Sequence, residues 1–287
     1  MDEKIVLVTG ANSGMGKATA AKLADTGARV VMLCRDRTRG EAAFKEVMEQ
    51  DRSRKLDLLQ CDLADMSDIR RFTDEFKNRY GRLDILVNNA GVICVDRRET
   101  KDGLELQFGV NHIGHFLLTV RLLDIMPGHT GTRIVVVGSG AHKAGRIHFE
   151  DINLTKGYNV VSAYGQAKLA NLLFTRELAR RLAGTGITVN CCHPGAVATS
   201  MGVDRKTGFG KTLTGLLSPF FLTPEEGART ALFLALDPSV RDITGEYFYK
   251  CKKAKSSKAS QNEELAKKLF ELSEKLTGEI NSLCQLI

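Results

Sequence analysis

KIVLVTGANSGMG, residues 4–16, runs from a short apolar, β-branched stretch into a turn with glycines at 10, 14 and 16, and on into helix-forming residues 14–26. A glycine-rich turn from strand to helix presents backbone N–H groups and a helix N-terminus with no side chain in the way. Those are the requirements of a bound pyrophosphate. The spacing is GxxxGxG rather than GxGxxG, so its place directly after the first strand carries as much weight as the glycines. Gly27 is placed to stop the helix.

The same alternation continues outward. ARVVMLC (28–34), LDLLQCDL (56–63), LDILVNNAG (83–91), TRIVVVG (132–138), GITVNCC (186–192) and GEYFYK (245–250) read as strands. Helices are expected between them, at about 38–49, after Ser67, and at about 103–126, 160–184 and 224–236. Thr38 and Glu41 have capping-box spacing, and Ser67 is the expected cap of the helix carrying Ile69, Phe72 and Phe76. Nearly continuous apolar strands alternating with helices imply a mostly parallel sheet covered on both faces. The expected fold is α/β: a single Rossmann-type, doubly wound domain over residues 1–250 with about seven strands. Residues 199–223, rich in Gly, Thr and Ser with scattered Phe and Leu, lie where a substrate lid would lie. Residues 251–287 form a Lys-rich connection and an amphipathic helix with Leu265, Leu269, Leu272 and Leu276 on its apolar stripe. That stripe is expected to dock on the domain, with peripheral membrane contact the alternative.

Composition narrows the classes. The 287 residues are 43% apolar and 26% charged, which suits a globular protein with an ample core. The net charge of +7 comes with no recognition module, so nucleic acid is not expected as a partner. Seven cysteines, without a CxxC pair, read as small buried hydrophobes in a reducing compartment, with no zinc spacing. The N-terminus has no signal-peptide pattern, and no apolar run approaches about 18 residues. These features lead us to expect a cytoplasmic protein.

The candidate chemistry lies at the strand ends. An acidic residue after the second strand would bind a ribose 2′-OH; here Cys34 is followed by Arg35, whose guanidinium suits a 2′-phosphate. NADP(H) is therefore expected, with NAD(H) the alternative if Asp36 reaches the ribose instead. Asp62 could accept from an adenine amino group, and Asn89, Ala90 and Gly91 end the fourth strand beside the cleft. Pro194 and Gly195 form a turn able to cover a nicotinamide. Tyr164 and Lys168 stand at i and i+4 on one helix face. An ammonium beside a phenol favours release of the phenol's proton, so the pair could pass a proton to or from a carbonyl oxygen. Ser139, at the end of the fifth strand, could hold that oxygen, and Asn111 is a poor helix former inside a helix. His112 and His115 read as packing or polar structure.

TGANSGMG, NNAG, Asn111, Ser139, YGQAK and PG occur in the order found in the short-chain dehydrogenase/reductase family, which residues 4–250 resemble. LCRDRTRGE, VNHIGHFLLT, YGQAKLANLLFTREL and HPGAVATSM are similar to its retinol dehydrogenase-like branch. Gly138 departs from that branch, which commonly has serine there. The resemblance implies an oxidoreductase acting on an alcohol or carbonyl, with an apolar, retinol-like substrate. It implies Tyr164 as general acid/base, Lys168 as its partner, Ser139 orienting the substrate and Asn111 supporting a proton-relay water. It places dinucleotide contacts at Gly10, Ser13, Gly14, Met15, Gly16, Arg35, Asp62, Leu63, Asn89, Lys168, Val197 and Thr199. It also implies a homodimer or homotetramer. The alternative is a dinucleotide-binding redox sensor or scaffold without turnover.

Overall fold

The computed structural model describes residues 3–50, 54–128, 131–195 and 222–279. Its strands are β1 (Ile5–Thr9), β2 (Arg29–Cys34), β3 (Lys55–Gln60), β4 (Ile85–Asn88), β5 (Thr132–Val137), β6 (Ile187–His193), β7 (Tyr247–Tyr249) and β8 (Lys252–Lys253). They form a single sheet of eight strands in the order β3-β2-β1-β4-β5-β6-β7-β8. All neighbours are parallel except the final pair. The eighth strand, beyond the seven expected, is a two-residue return across the turn at Lys250 and Cys251, both at positive φ. Chain order reverses between β1 and β4, and that switch opens a crevice at the strands' C-terminal ends.

The helices are α1 (Gly14–Ala24), α2 (Arg37–Gln50), α3 (Met66–Tyr80), α4 (Leu106–Phe108), α5 (Gly114–Leu122), α6 (Val160–Arg181), α7 (Pro224–Leu236) and α8 (Glu263–Thr277). Successive strand residues face opposite sides of the sheet, so each strand feeds two cores. Val6 and Val8 of β1 join α1, α2 and α7 on one face; Ile5 and Leu7 join α3, α5 and α6 on the other. The doubly wound reading of the apolar runs is borne out.

Local chemistry moves several boundaries. The Thr38–Glu41 capping box does not form, because α2 begins one residue earlier: Asp36 accepts from the Arg39 amide, and Glu41 pairs with Arg37 at 2.8 Å. Asp65, not Ser67, caps α3, accepting from the Ser67 and Asp68 amides. The helix expected over 103–126 is broken: α4 and α5 flank a π-helical turn at Gly109–Ile113. The tail helix α8 docks, but on a face rotated from the leucine stripe. Ala266, Leu269, Phe270, Ser273, Glu274 and Thr277 are its buried residues. Phe270 decides the rotation, packing against Phe116 and Phe174 under the Arg181 guanidinium. Among the described residues no helix is long and apolar enough to cross a membrane.

Candidate active site

One continuous cleft runs across the C-terminal ends of β1, β2, β4, β5 and β6. Its floor is the 9–16 turn. Gly10 has φ +65°, and a Cβ there would lie 2.9 Å from Ala90 Cα; a Cβ on Gly16 would lie 2.3 Å from the Gly10 carbonyl oxygen. The turn therefore folds only as glycine, and it leaves the start of α1 open to the cleft. The NNAG stretch braces it. Asn89 Nδ2 donates to the Thr9 carbonyl at 2.7 Å, and the Thr9 hydroxyl accepts the Asn89 and Ala90 amides at 2.9 Å each. Asn88 turns away and donates to Thr119 Oγ1.

At the end of β2 the cleft wall is Cys34, Arg35, Asp36 and Arg39. Burial pushes the Cys34 thiol up to about 11, so it stays neutral near pH 7. The strand stops at Cys34, which leaves Asp36 outside it as the cap of α2. Arg35 and Arg39 have no carboxylate partner among the described residues, whereas Arg37 between them is paired with Glu41. Asp62 and Leu63 line the same end, and Asp62 also accepts from the Ala64 amide.

At the other end, Ser139, Tyr164, Lys168, Pro194 and Gly195 line the cleft. The Lys168 ammonium is almost fully buried and donates to the Val137 carbonyl at 3.1 Å, so β5 holds it in place. It sits 5.6 Å from the centroid of the Tyr164 ring. Ser139 accepts from the Ala141 amide at 3.2 Å, which leaves its hydroxyl proton free to be given to a ligand oxygen. Gly138 departs from the expected serine for a steric reason: a Cβ there would lie 2.6 Å from Cys191 Sγ.

Of the residues singled out in the sequence, Gly10, Ser13, Met15, Gly16, Arg35, Asp62, Leu63, Asn89, Ala90, Gly91, Ser139, Tyr164, Lys168, Pro194 and Gly195 all line this cleft. Gly14 opens α1 without lining it. Asn111 does not line it either. It is fully buried in the π turn, and its side chain pairs with the Val92 backbone, accepting at 2.7 Å and donating at 3.0 Å. Val197, Thr199 and most of the expected lid lie outside the described residues. Sequence reasoning missed Thr9, Asn12 and Arg39, which also line the cleft. For Arg39 the available signal was its place in the first turn of the helix that follows Arg35.

A doubly wound sheet with this turn, this tyrosine–lysine pair and this serine defines a class: the chain belongs to the short-chain dehydrogenases, whose family description matches residues 4–208. It is an oxidoreductase of the type acting on CH–OH groups, in the retinol dehydrogenase-like branch. Retinol dehydrogenase 14 of Mus musculus is 45% identical over 290 residues, covering 97% of this chain and 87% of that one. Retinol dehydrogenase 13 of Homo sapiens is 42% identical, covering 96% and 85%. A crystal structure of an uncharacterized protein from Mycobacterium paratuberculosis superposes with a TM-score of 0.77 at 35% identity, covering 96% of this chain and 93% of that one. A blue fluorescent protein from a metagenomic library, solved in complex with NADPH, superposes at 0.67 and 29% identity, covering 85% and 95%.

Proposed function

We propose that this chain is an NADP(H)-preferring oxidoreductase that interconverts an apolar alcohol and its aldehyde or ketone. The observation that carries the reading is the meeting, in one cleft, of the 9–16 turn with Ser139, Tyr164 and Lys168. The glycine cradle, which any Cβ would fill, fits a pyrophosphate, and the cleft's far end fits a nicotinamide. The cofactor, when bound, supplies or accepts the hydride. The chain's own residues handle the proton and the orientation. Tyr164 gives its phenolic proton to the carbonyl oxygen in reduction and takes it back in oxidation. Lys168, held by Val137, stabilises the phenolate charge as it forms. Ser139 donates to the same substrate oxygen and fixes its direction.

The preference for NADP(H) is supported by the β2 end of the cleft. Arg35 and Arg39 line that end without a carboxylate partner among the described residues, and Asp36 beside them caps α2 through one oxygen. The metagenomic relative solved with NADPH is consistent with this. An apolar substrate is supported by the names of the relatives.

The test is a panel of apolar alcohols and aldehydes followed at the nicotinamide absorbance. Tyr164→Phe should bind NADPH normally and lose at least about 100-fold in kcat; unchanged kcat would sink the mechanism. Arg35→Ala and Arg39→Ala should each raise the NADPH Kd about tenfold or more and barely move that of NADH. Equal effects on both cofactors would remove the 2′-phosphate reading.

A further inference from the structure

We propose that His115 is a positioning residue of the hydride-transfer site, locking the Asn111 carbonyl to the cofactor turn through one fixed imidazole tautomer. The inference rests on the mechanism just proposed, together with the proton-relay role that the family resemblance implies for Asn111, and adds to them a residue outside the cleft.

His115 lies in the first turn of α5, buried, four residues after Asn111. Its ring bridges two elements. Nε2 is 2.9 Å from the Thr9 hydroxyl, and Nδ1 is 3.1 Å from the Asn111 carbonyl oxygen. The hydrogens can be assigned by elimination. A hydroxyl has one proton and two lone pairs. Both Thr9 lone pairs are taken by the Asn89 and Ala90 amides. Its proton therefore goes to His115 Nε2, since the Val87 carbonyl is farther, at 3.4 Å. Nε2 must accept, so Nδ1 carries the hydrogen and donates it to the Asn111 carbonyl. The chain of donation runs from the cleft-lining amides of Asn89 and Ala90, through Thr9 and His115, to Asn111.

An imidazolium does not fit this arrangement, because its Nε2–H would point at a hydroxyl with no lone pair left. The surroundings agree. Burial, with the Lys168 charge adding to it, pushes His115 down to about 4. The charged or titratable groups around it are Lys168 from α6 and His112 in the adjoining π turn.

The arrangement matters because of Asn111. Its side-chain amide is committed to Val92. Its carbonyl accepts from His115 Nδ1, and it is at Asn111 that the resemblance to the family places a proton-relay water. The π turn, in which the Gly114 amide reaches back to Gly109, makes that stretch of helix irregular. His115 ties that carbonyl to Thr9, which lies outside the helix at the end of β1.

The experiment has a wild-type arm and a variant arm. Nitrogen-15 NMR of the histidines in the intact protein at neutral pH should show His115 as the Nδ1–H tautomer; an Nε2–H or imidazolium signature overturns the assignment. His115→Phe keeps an aromatic ring, somewhat larger than imidazole, and removes both hydrogen bonds. It should lower kcat about 100-fold with little change in NADPH Kd or substrate KM, and should displace the pH profile of kcat. His115→Asn, whose amide N stands near the Nδ1 position, should restore most of kcat. Wild-type kcat and pH profile in His115→Phe would overturn the proposal. So would equal losses in both variants that track their melting temperatures, since that is a packing role. Tyr164→Phe in the same assay separates the two ideas. If it remains active, the underlying mechanism fails; if it is dead while His115→Phe is normal, only the role of His115 fails.

Discussion

Asp36 accepts a hydrogen bond from the Arg39 amide, and that contact sets the charge at one end of the cleft. A carboxylate aimed down the first turn of α2 satisfies an open helix donor and complements the helix dipole. One of its two oxygens is thereby committed to the helix cap. The alternative left open by the sequence, in which Asp36 reads an unphosphorylated ribose, depended on β2 running further than Cys34. Asp36→Ala should therefore cost about 1 kcal/mol of stability in a urea melt and leave the preference for NADPH over NADH intact or increased. A large selective loss of NADH binding in that variant would return Asp36 to the ribose. Gly138 makes a similar point in reverse. Its departure from the branch pattern was visible in the sequence, but its reason, the Cys191 sulfur against it, was not.

At the scale of elements, α8 shows what a leucine stripe leaves undecided. A helix with apolar residues on several sides can dock in more than one rotation, and the receiving surface chooses. Here the receiving surface is aromatic. Phe270 meets Phe116 edge-on at 4.9 Å and stacks with Phe174 at 6.1 Å, with the Arg181 guanidinium 4.0 Å from its ring centroid. Ser273 reaches His112 at 3.0 Å, which ties the tail to the π turn that holds Asn111. Arg70 and Arg121 grip Glu279 beyond the helix end. Phe270→Ala should lower stability by about 3–5 kcal/mol, read from the denaturant midpoint. Leu272→Ala, on the expected stripe but only half-buried, should cost distinctly less. The reverse order would mean that α8 docks on the leucine face.

For the molecule as a whole, the buried His112 and His115 and the partly exposed His193 shape the response to acid. Burial pushes His112 down to about 3, and His115 and His193 to about 4. The unfolded chain would protonate them near pH 6.5. A folded pKa below the unfolded one contributes stability that is complete above the unfolded value and lost as pH falls through the window down to the folded value. Stability should thus begin to decline below about pH 6.5. Asp65, held down to about 2 chiefly by its Lys101 partner, adds to the loss only below about pH 4. Urea midpoints measured from pH 8 to pH 4.5 test this, and a flat profile between pH 7 and pH 5 would contradict it. His112→Asn should flatten part of the slope.

The sequence by itself determined the doubly wound fold and most of the cleft. Strand periodicity and glycine spacing are local signals, legible because backbone sterics and helix or strand geometry act over a few residues, while the order of TGANSGMG, NNAG, Ser139 and YGQAK pointed to the cleft through its resemblance to the short-chain dehydrogenases. Tertiary structure alone decided what Asp36 caps, which face α8 buries, and how Asn111 and His115 are held. Those outcomes depend on hydrogen bonds and packing between residues far apart in the chain, such as Thr9 and His115 or His112 and Ser273. A buried polar group takes whichever partner the assembled core brings within reach, and no local pattern encodes that partner.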